Sequence, residues 1–248
     1  MSPDINTKIR LYCLHFAGGN SYSFRAFKGQ FPNFIEPVFL ELPGRGLRLR
    51  EPLLHDVNQA IKDLLPRLQT QQPYAIYGHS MGGLLAYQLT QQLMVKKQNL
   101  PLYLMISGCR APRFIPRSDA RHLLSKAQFF NMLQALGGLP RDILAHQELM
   151  EFFEPMLRAD FQIVDTYHYR ASPIRLSMPV SILGGQQDKE VSYAELNHWQ
   201  EECELPIRLH HWAGDHFFIF EKINEMMQEL KQLSQATWMP TLAHQLAS

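Results

Sequence analysis

Tyr74-Ala75-Ile76-Tyr77-Gly78-His79-Ser80-Met81-Gly82-Gly83-Leu84-Leu85 carries the strongest structural signal in the chain. Its first four residues are apolar or aromatic, a length that suits a buried strand. Gly78-His79-Ser80-Met81-Gly82 fits G-x-S-x-G, and Leu85, Leu89 and Leu93, spaced by four, begin a helix directly afterwards. A strand that turns sharply into a helix at a serine is the layout of a nucleophile elbow. The flanking glycines leave room in the tight turn. The serine then stands at a helix N-terminus, where backbone N–H groups favour developing negative charge.

Outward from the elbow the same rhythm repeats. Short apolar runs recur at 9–14, 37–40, 102–107, 180–183 and 207–212, with helical periodicity between them. Asp56 is placed to cap a helix running to about Leu68, and Ile223, Met226, Met227 and Leu230 mark a C-terminal amphipathic helix. Strand–helix alternation predicts an α/β fold, a mostly parallel central sheet with helices on both faces. One interval breaks the rhythm: roughly 70 residues, 110–178, separate two strand runs, far more than a crossover needs. It is rich in large apolar residues, among them Phe129, Phe130 and Met132. We read the chain as one domain over 1–248, with about 112–175 inserted as a helical lid whose apolar residues help form the substrate pocket.

Composition narrows the function. With 46% hydrophobic and 19% charged residues the chain has the make-up of a globular protein, not a disordered one. Twenty-four Lys+Arg against 23 Asp+Glu argue against a dedicated nucleic-acid binder. No apolar run approaches a membrane span, and the first apolar segment lacks the layout of a signal peptide. Cys13, Cys109 and Cys203 are widely spaced and odd in number, so neither a disulfide framework nor a CxxC site is expected, and a cytoplasmic location is.

A serine hydroxyl is a poor nucleophile until a base takes its proton, and imidazole is the usual base. In an elbow fold the acid and the histidine follow the serine in that order, each at a later strand end. Of 11 histidines, His216 lies just past the sixth apolar run, in Ala213-Gly214-Asp215-His216-Phe217-Phe218. His210 and His211 fall inside that run, His79 inside the elbow, and His168 and His198 away from strand ends. Asp188, after Gly184-Gly185-Gln186-Gln187, is the acid candidate. Asp215 is its rival, and reads as a loop former through Asx-type hydrogen bonding; Asp160 and Asp165 fall in the insertion. The oxyanion of a tetrahedral intermediate would be held by two backbone N–H groups. One is that of Met81, and the other that of Ala17 in His15-Phe16-Ala17-Gly18-Gly19. HExxH, GxxxxGK[ST] and GxGxxG are absent, so neither a metal nor a cofactor is expected.

Together these residues resemble the type II thioesterases, stand-alone α/β-hydrolases that serve non-ribosomal peptide and polyketide synthetases. The resemblance runs in order through Leu14-His15-Phe16-Ala17-Gly18-Gly19, Glu41-Leu42-Pro43-Gly44-Arg45-Gly46, the elbow, Ser107-Gly108-Cys109-Arg110-Ala111-Pro112, Leu157-Arg158-Ala159-Asp160, Leu183-Gly184-Gly185 and Gly214-Asp215-His216-Phe217-Phe218. Phe16 departs from it, since many members carry a histidine there. The resemblance implies an α/β-hydrolase fold and a Ser80–Asp188–His216 triad. It also implies Ala17 and Met81 as oxyanion donors and a lid after Pro112. The reaction implied is hydrolysis of acyl or aminoacyl thioesters on the phosphopantetheine arm of an acyl or peptidyl carrier protein. A monomer is expected. The residues alone leave a carboxylesterase or lipase acting on oxoesters open, and a non-catalytic scaffold as a further alternative. Arg45, Arg48 and Arg50, with Arg110, Arg113, Arg117 and Arg121, are expected at the mouth of the site, to steer an acidic carrier protein.

Overall fold

The strand that enters the elbow, β3 (Tyr74–His79), is buried at every position. So are β4 (Leu104–Ser107) and β5 (Val180–Gly185). Continuous apolar strands of this kind belong inside a parallel sheet covered on both faces. The computed structural model describes residues 8–115, 120–137 and 146–238. With β1 (Ile9–Leu14), β2 (Ile35–Leu40) and β6 (Arg208–Trp212), the strands form one six-stranded sheet in the order β2-β1-β3-β4-β5-β6, every pair parallel.

Alternate residues of the strands feed two cores. On one face Tyr12, Leu14, Ile76, Ile106 and Ile182 pack with α1 (Val57–Leu64) and α2 (Met81–Val95). On the other, Leu11, Cys13, Tyr77 and Met105 pack with Met226, Leu230 and Leu233 of α6 (Ile223–Thr237). The sequence expectations hold here with shifts at element ends. Asp56 caps α1 by accepting from the Gln59 N–H at 2.9 Å. The helix gives way to a 3-10 turn at Leu65–Arg67, because Pro66 cannot continue the α-helical hydrogen bonding. β2 begins at Ile35 rather than Pro37; it is an edge strand, where a proline is tolerated.

Between β4 and β5 the described residues form two short 3-10 turns, Pro112–Phe114 and Arg121–Leu123, then α3 (Lys126–Leu136) and α4 (Gln147–Asp165). These two helices share a separate apolar cluster of Phe129, Leu133, Met150, Leu157 and Phe161. A last helix, α5 (Tyr193–Asn197), follows the turn after β5. No helix among the described residues is long and apolar enough to cross a membrane.

Candidate active site

Ser80 sits between β3 and α2 with φ +53° and ψ −117°, a backbone region a non-glycine residue occupies only under constraint. The glycines around it explain how the turn is tolerated. A Cβ on Gly78 would run into the carbonyl of Gly82, and one on Gly82 into the carbonyl of Leu14. The Ser80 N–H donates to the carbonyl of Ser107 at 2.8 Å, tying the elbow to the end of β4. The hydroxyl makes no helix cap, which leaves it for another partner.

That partner comes from the loop after β6. His216 places Nε2 3.1 Å from Ser80 Oγ, and its Nδ1 lies 2.8 Å from Asp188 Oδ2. Both side chains are buried. The second carboxylate oxygen of Asp188 accepts from the N–H groups of Glu190 and Val191 at 2.8 and 3.1 Å, so the whole group is fixed. The acid loop and the histidine loop are pinned to each other. Gln186 N–H donates to the Trp212 carbonyl, Gln187 N–H to the Gly214 carbonyl, and Gly214 N–H to Gln187 Oε1 at 2.6 Å. Gly185 permits that approach, since a Cβ there would strike the Asp215 carbonyl. Sequence reasoning singled out neither glutamine, because a side chain that clasps a neighbouring loop leaves no periodic or motif signal.

The rival acid is turned elsewhere: Asp215 Oδ1 accepts from the Phe217 N–H at 2.7 Å, an Asx-type contact. The other histidines also find separate partners. His79 is fully buried beneath His216, ring centroids 5.1 Å apart, with Nδ1 2.9 Å from Ser107 Oγ. Burial, with the nearby His216 adding to it, holds its pKa well below the ordinary 6.5. His210 lies 3.1 Å from Glu229, His211 Nε2 3.2 Å from the Gly185 carbonyl, His168 Nδ1 2.6 Å from the Thr166 carbonyl, and His198 Nδ1 2.9 Å from Glu201 Oε1.

Ser80, Met81, Ala17 and His216 line one cleft, which encloses about 660 Å³ counted out to open solvent. Its walls are largely apolar: Leu84, Ile115, Leu136, Phe161, Val164 and Phe217, with Arg121 and Glu190 among the polar lining. Phe16 also lines it, edge-on to His79 and Phe217. The pocket residues expected from sequence are corrected here. Phe129 is buried in the cluster between α3 and α4, and Phe130 and Met132 pack against that cluster; none of the three lines the cleft.

The arginine expectation holds in part: Arg110 and Arg121 line the cleft. Arg45 is buried on Asp160, Arg48 is held by Asp63 and Glu51, Arg110 by Glu195, Arg113 by Glu201, and Arg121 by Asp165 and Glu190. These five are each paired with a carboxylate; Arg50 is exposed, and Arg117 lies outside the described residues.

With this geometry in view, the likenesses to known proteins are consistent. The gramicidin S biosynthesis protein GrsT of Aneurinibacillus migulanus is 34% identical over 229 residues, 91% of this chain and 89% of its own. Among solved structures, ClbQ from the colibactin pathway superposes with TM-score 0.87 at 29% identity, covering 94% of this chain and 99% of ClbQ. The type II thioesterase BorB from the borrelidin cluster gives 0.83 at 28%, covering 94% and 95%. The sheet and its flanking helices are those of the α/β-hydrolase fold. The family model described as the thioesterase domain matches residues 9–233. The chain belongs to the thioesterase domain family.

Proposed function

We propose that the chain is a type II serine thioesterase, hydrolysing acyl or aminoacyl groups from the phosphopantetheine arm of acyl or peptidyl carrier proteins. The biosynthesis it serves would be of the non-ribosomal peptide, polyketide or fatty-acid type. The observation that carries the reading is the contact chain Ser80 Oγ–His216–Asp188 in an apolar-walled cleft. Its likeness to BorB, a type II thioesterase, and to GrsT, a gramicidin S biosynthesis protein, supports the substrate class.

In this reading Ser80 attacks the thioester carbonyl while His216 Nε2 takes its proton. Asp188 holds Nδ1–H and stabilises the imidazolium. The oxyanion rests on the N–H groups of Ala17 and Met81. Collapse expels the pantetheine sulfur, which receives the proton from His216, and leaves Ser80 acylated. Water, deprotonated by His216, then attacks the ester; collapse breaks the acyl–Ser80 bond, His216 returns the proton to Ser80 Oγ, and the acid is released. A thiol, with a pKa near about 8.5, leaves more readily than an amine, so proton donation to it is less demanding than in peptide cleavage.

The segment between β4 and β5 serves as a lid within a single domain spanning 1–248, and Leu136, Phe161 and Val164 face the acyl chain. A monomer in a reducing cytoplasm suits the chain, whose three cysteines are free and buried. Burial pushes the Cys109 and Cys203 thiols up to about 12, too high for either to compete as nucleophile.

The test compares kcat/KM for an acylated carrier protein, the same acyl group on a small thiol, and the matching small oxoester. The carrier-bound thioester is expected to be the best substrate by at least about tenfold. Preference for the small oxoester would instead mark an esterase.

A further inference from the structure

The peptide that carries the Ala17 N–H is held from its other end. Its carbonyl, that of Phe16, accepts the Gly19 N–H at 2.9 Å and lies 2.8 Å from His15 Nδ1. The tautomer follows from the remaining nitrogen. The Leu42 N–H donates to His15 Nε2 at 3.4 Å, so the ring proton is on Nδ1 and points at the Phe16 carbonyl. Burial, reinforced by the Arg45 charge, lowers the His15 pKa to about 4, so the ring is neutral at pH 7.

The next two residues, Gly18 and Gly19, are clamped by an ion pair that spans three parts of the fold. Arg45, from the loop after β2, meets Asp160 of α4 through two contacts, 2.5 and 2.7 Å, both side chains out of water. Asp160 also accepts the Gly18 N–H at 2.8 Å, and Arg45 donates to the Gly19 carbonyl at 3.2 Å. Leu157, one turn before Asp160 on the same helix, fills the space where a Gly18 Cβ would stand.

We infer that His15, Arg45 and Asp160 are positioning residues that aim the Ala17 N–H into the cleft, where it meets the oxyanion. In a trans peptide the C=O and N–H point in opposite directions, so locking the Phe16 oxygen inward turns the Ala17 N–H outward. The Arg45–Asp160 pair prevents the two following residues from relaxing that orientation. Preorganised donors accelerate a reaction because nothing must reorient as charge develops. The inference rests on the proposed thioesterase reaction.

The test pairs two variants with two ligands. Arg45→Met with Asp160→Leu replaces the ion pair by apolar groups of similar size, a change that buried pairs tolerate in stability. His15→Leu removes one clamp and leaves the ion pair intact, and carries the test by itself should the double variant not fold. The ligands are an acyl thioether, which binds without forming an oxyanion, and an acyl trifluoromethyl ketone, which forms one on Ser80. For variants folded by circular dichroism, kcat should fall by about 10²-fold for the double variant and about tenfold for His15→Leu. Affinity for the ketone should fall in step, while KM and thioether affinity stay within about threefold. Folded variants with wild-type kcat, or losing thioether and ketone affinity equally, overturn the inference and leave the reaction standing. A wild-type chain inert to the thioester overturns both.

Discussion

Asp188 and Asp215 sit on the two interlocked loops after β5 and β6 but face different partners. Asp188 divides its oxygens between His216 and two backbone N–H groups, whereas Asp215 folds back on the Phe217 N–H. Asp188→Asn keeps the shape but presents the wrong group to Nδ1–H, and single-turnover hydrolysis should fall by on the order of 10³–10⁴-fold with the fold intact. Asp215→Asn retains an Asx-type acceptor and should stay within about threefold of wild type. The reverse ranking would exchange the two assignments. The contact of Ser80, His216 and Asp188 is legible because elbow chemistry, chain order and strand ends each restrict the choice. The pairing of Arg45 with Asp160 is not legible, since a contact between a loop after β2 and a helix after β4 has no local signature.

At the scale of elements, α4 does two jobs along its length. Leu157, Asp160, Phe161 and Val164 sit against the loop after β1 and the cleft, while Phe129, Leu133 and Met150 tie α4 to α3. Shortening Phe161 or Val164 should therefore shift chain-length preference, with the ratio of kcat/KM for long over short acyl thioesters changing by about tenfold or more. Phe129→Ala should leave that ratio unchanged and destabilise the fold by about 3–5 kcal/mol, read from urea unfolding. A changed ratio at Phe129 and none at Phe161 would put the pocket on the other face of the helix pair. Sequence periodicity identifies apolar helices here but not which of two apolar faces meets the substrate, because both are buried. The strands read more cleanly: β1, β3, β4 and β5 are interior to the sheet and nearly continuous in apolar residues, while the edge strand β2 is only partly buried.

For the whole molecule, the balance of charge hides a dependence on pH. His15 and His79 are buried in neutral form, with pKa values below the ordinary 6.5. The unfolded chain gains protons there as pH falls below about 6.5 while the folded chain does not. Each ring therefore removes up to about 1.4 kcal/mol of stability per pH unit, and the His15 share levels off near pH 4. Glu229 adds a loss at lower pH. Burial works to raise its carboxyl, but hydrogen bonds from His210, Arg208 and Ser181 prevail and hold it at about 2, so its stabilisation is present above about 4.5 and disappears toward 2. Urea midpoints should decline steadily from pH 7 to 5; a flat profile would mean that these rings are hydrated or protonated in the folded state. None of this was legible in the chain itself, where 11 histidines look alike until burial distinguishes them. The central claim, that Ser80 takes the acyl group from a carrier-bound thioester before water does, is tested most directly by intact-protein mass spectrometry of a rapidly quenched reaction. The enzyme should gain the mass of one acyl group, mapped to Ser80, as the carrier loses it, and Ser80→Ala should neither gain it nor deacylate the carrier. Deacylation of the carrier by Ser80→Ala at the wild-type rate, or an acyl group mapped to another residue, would contradict it.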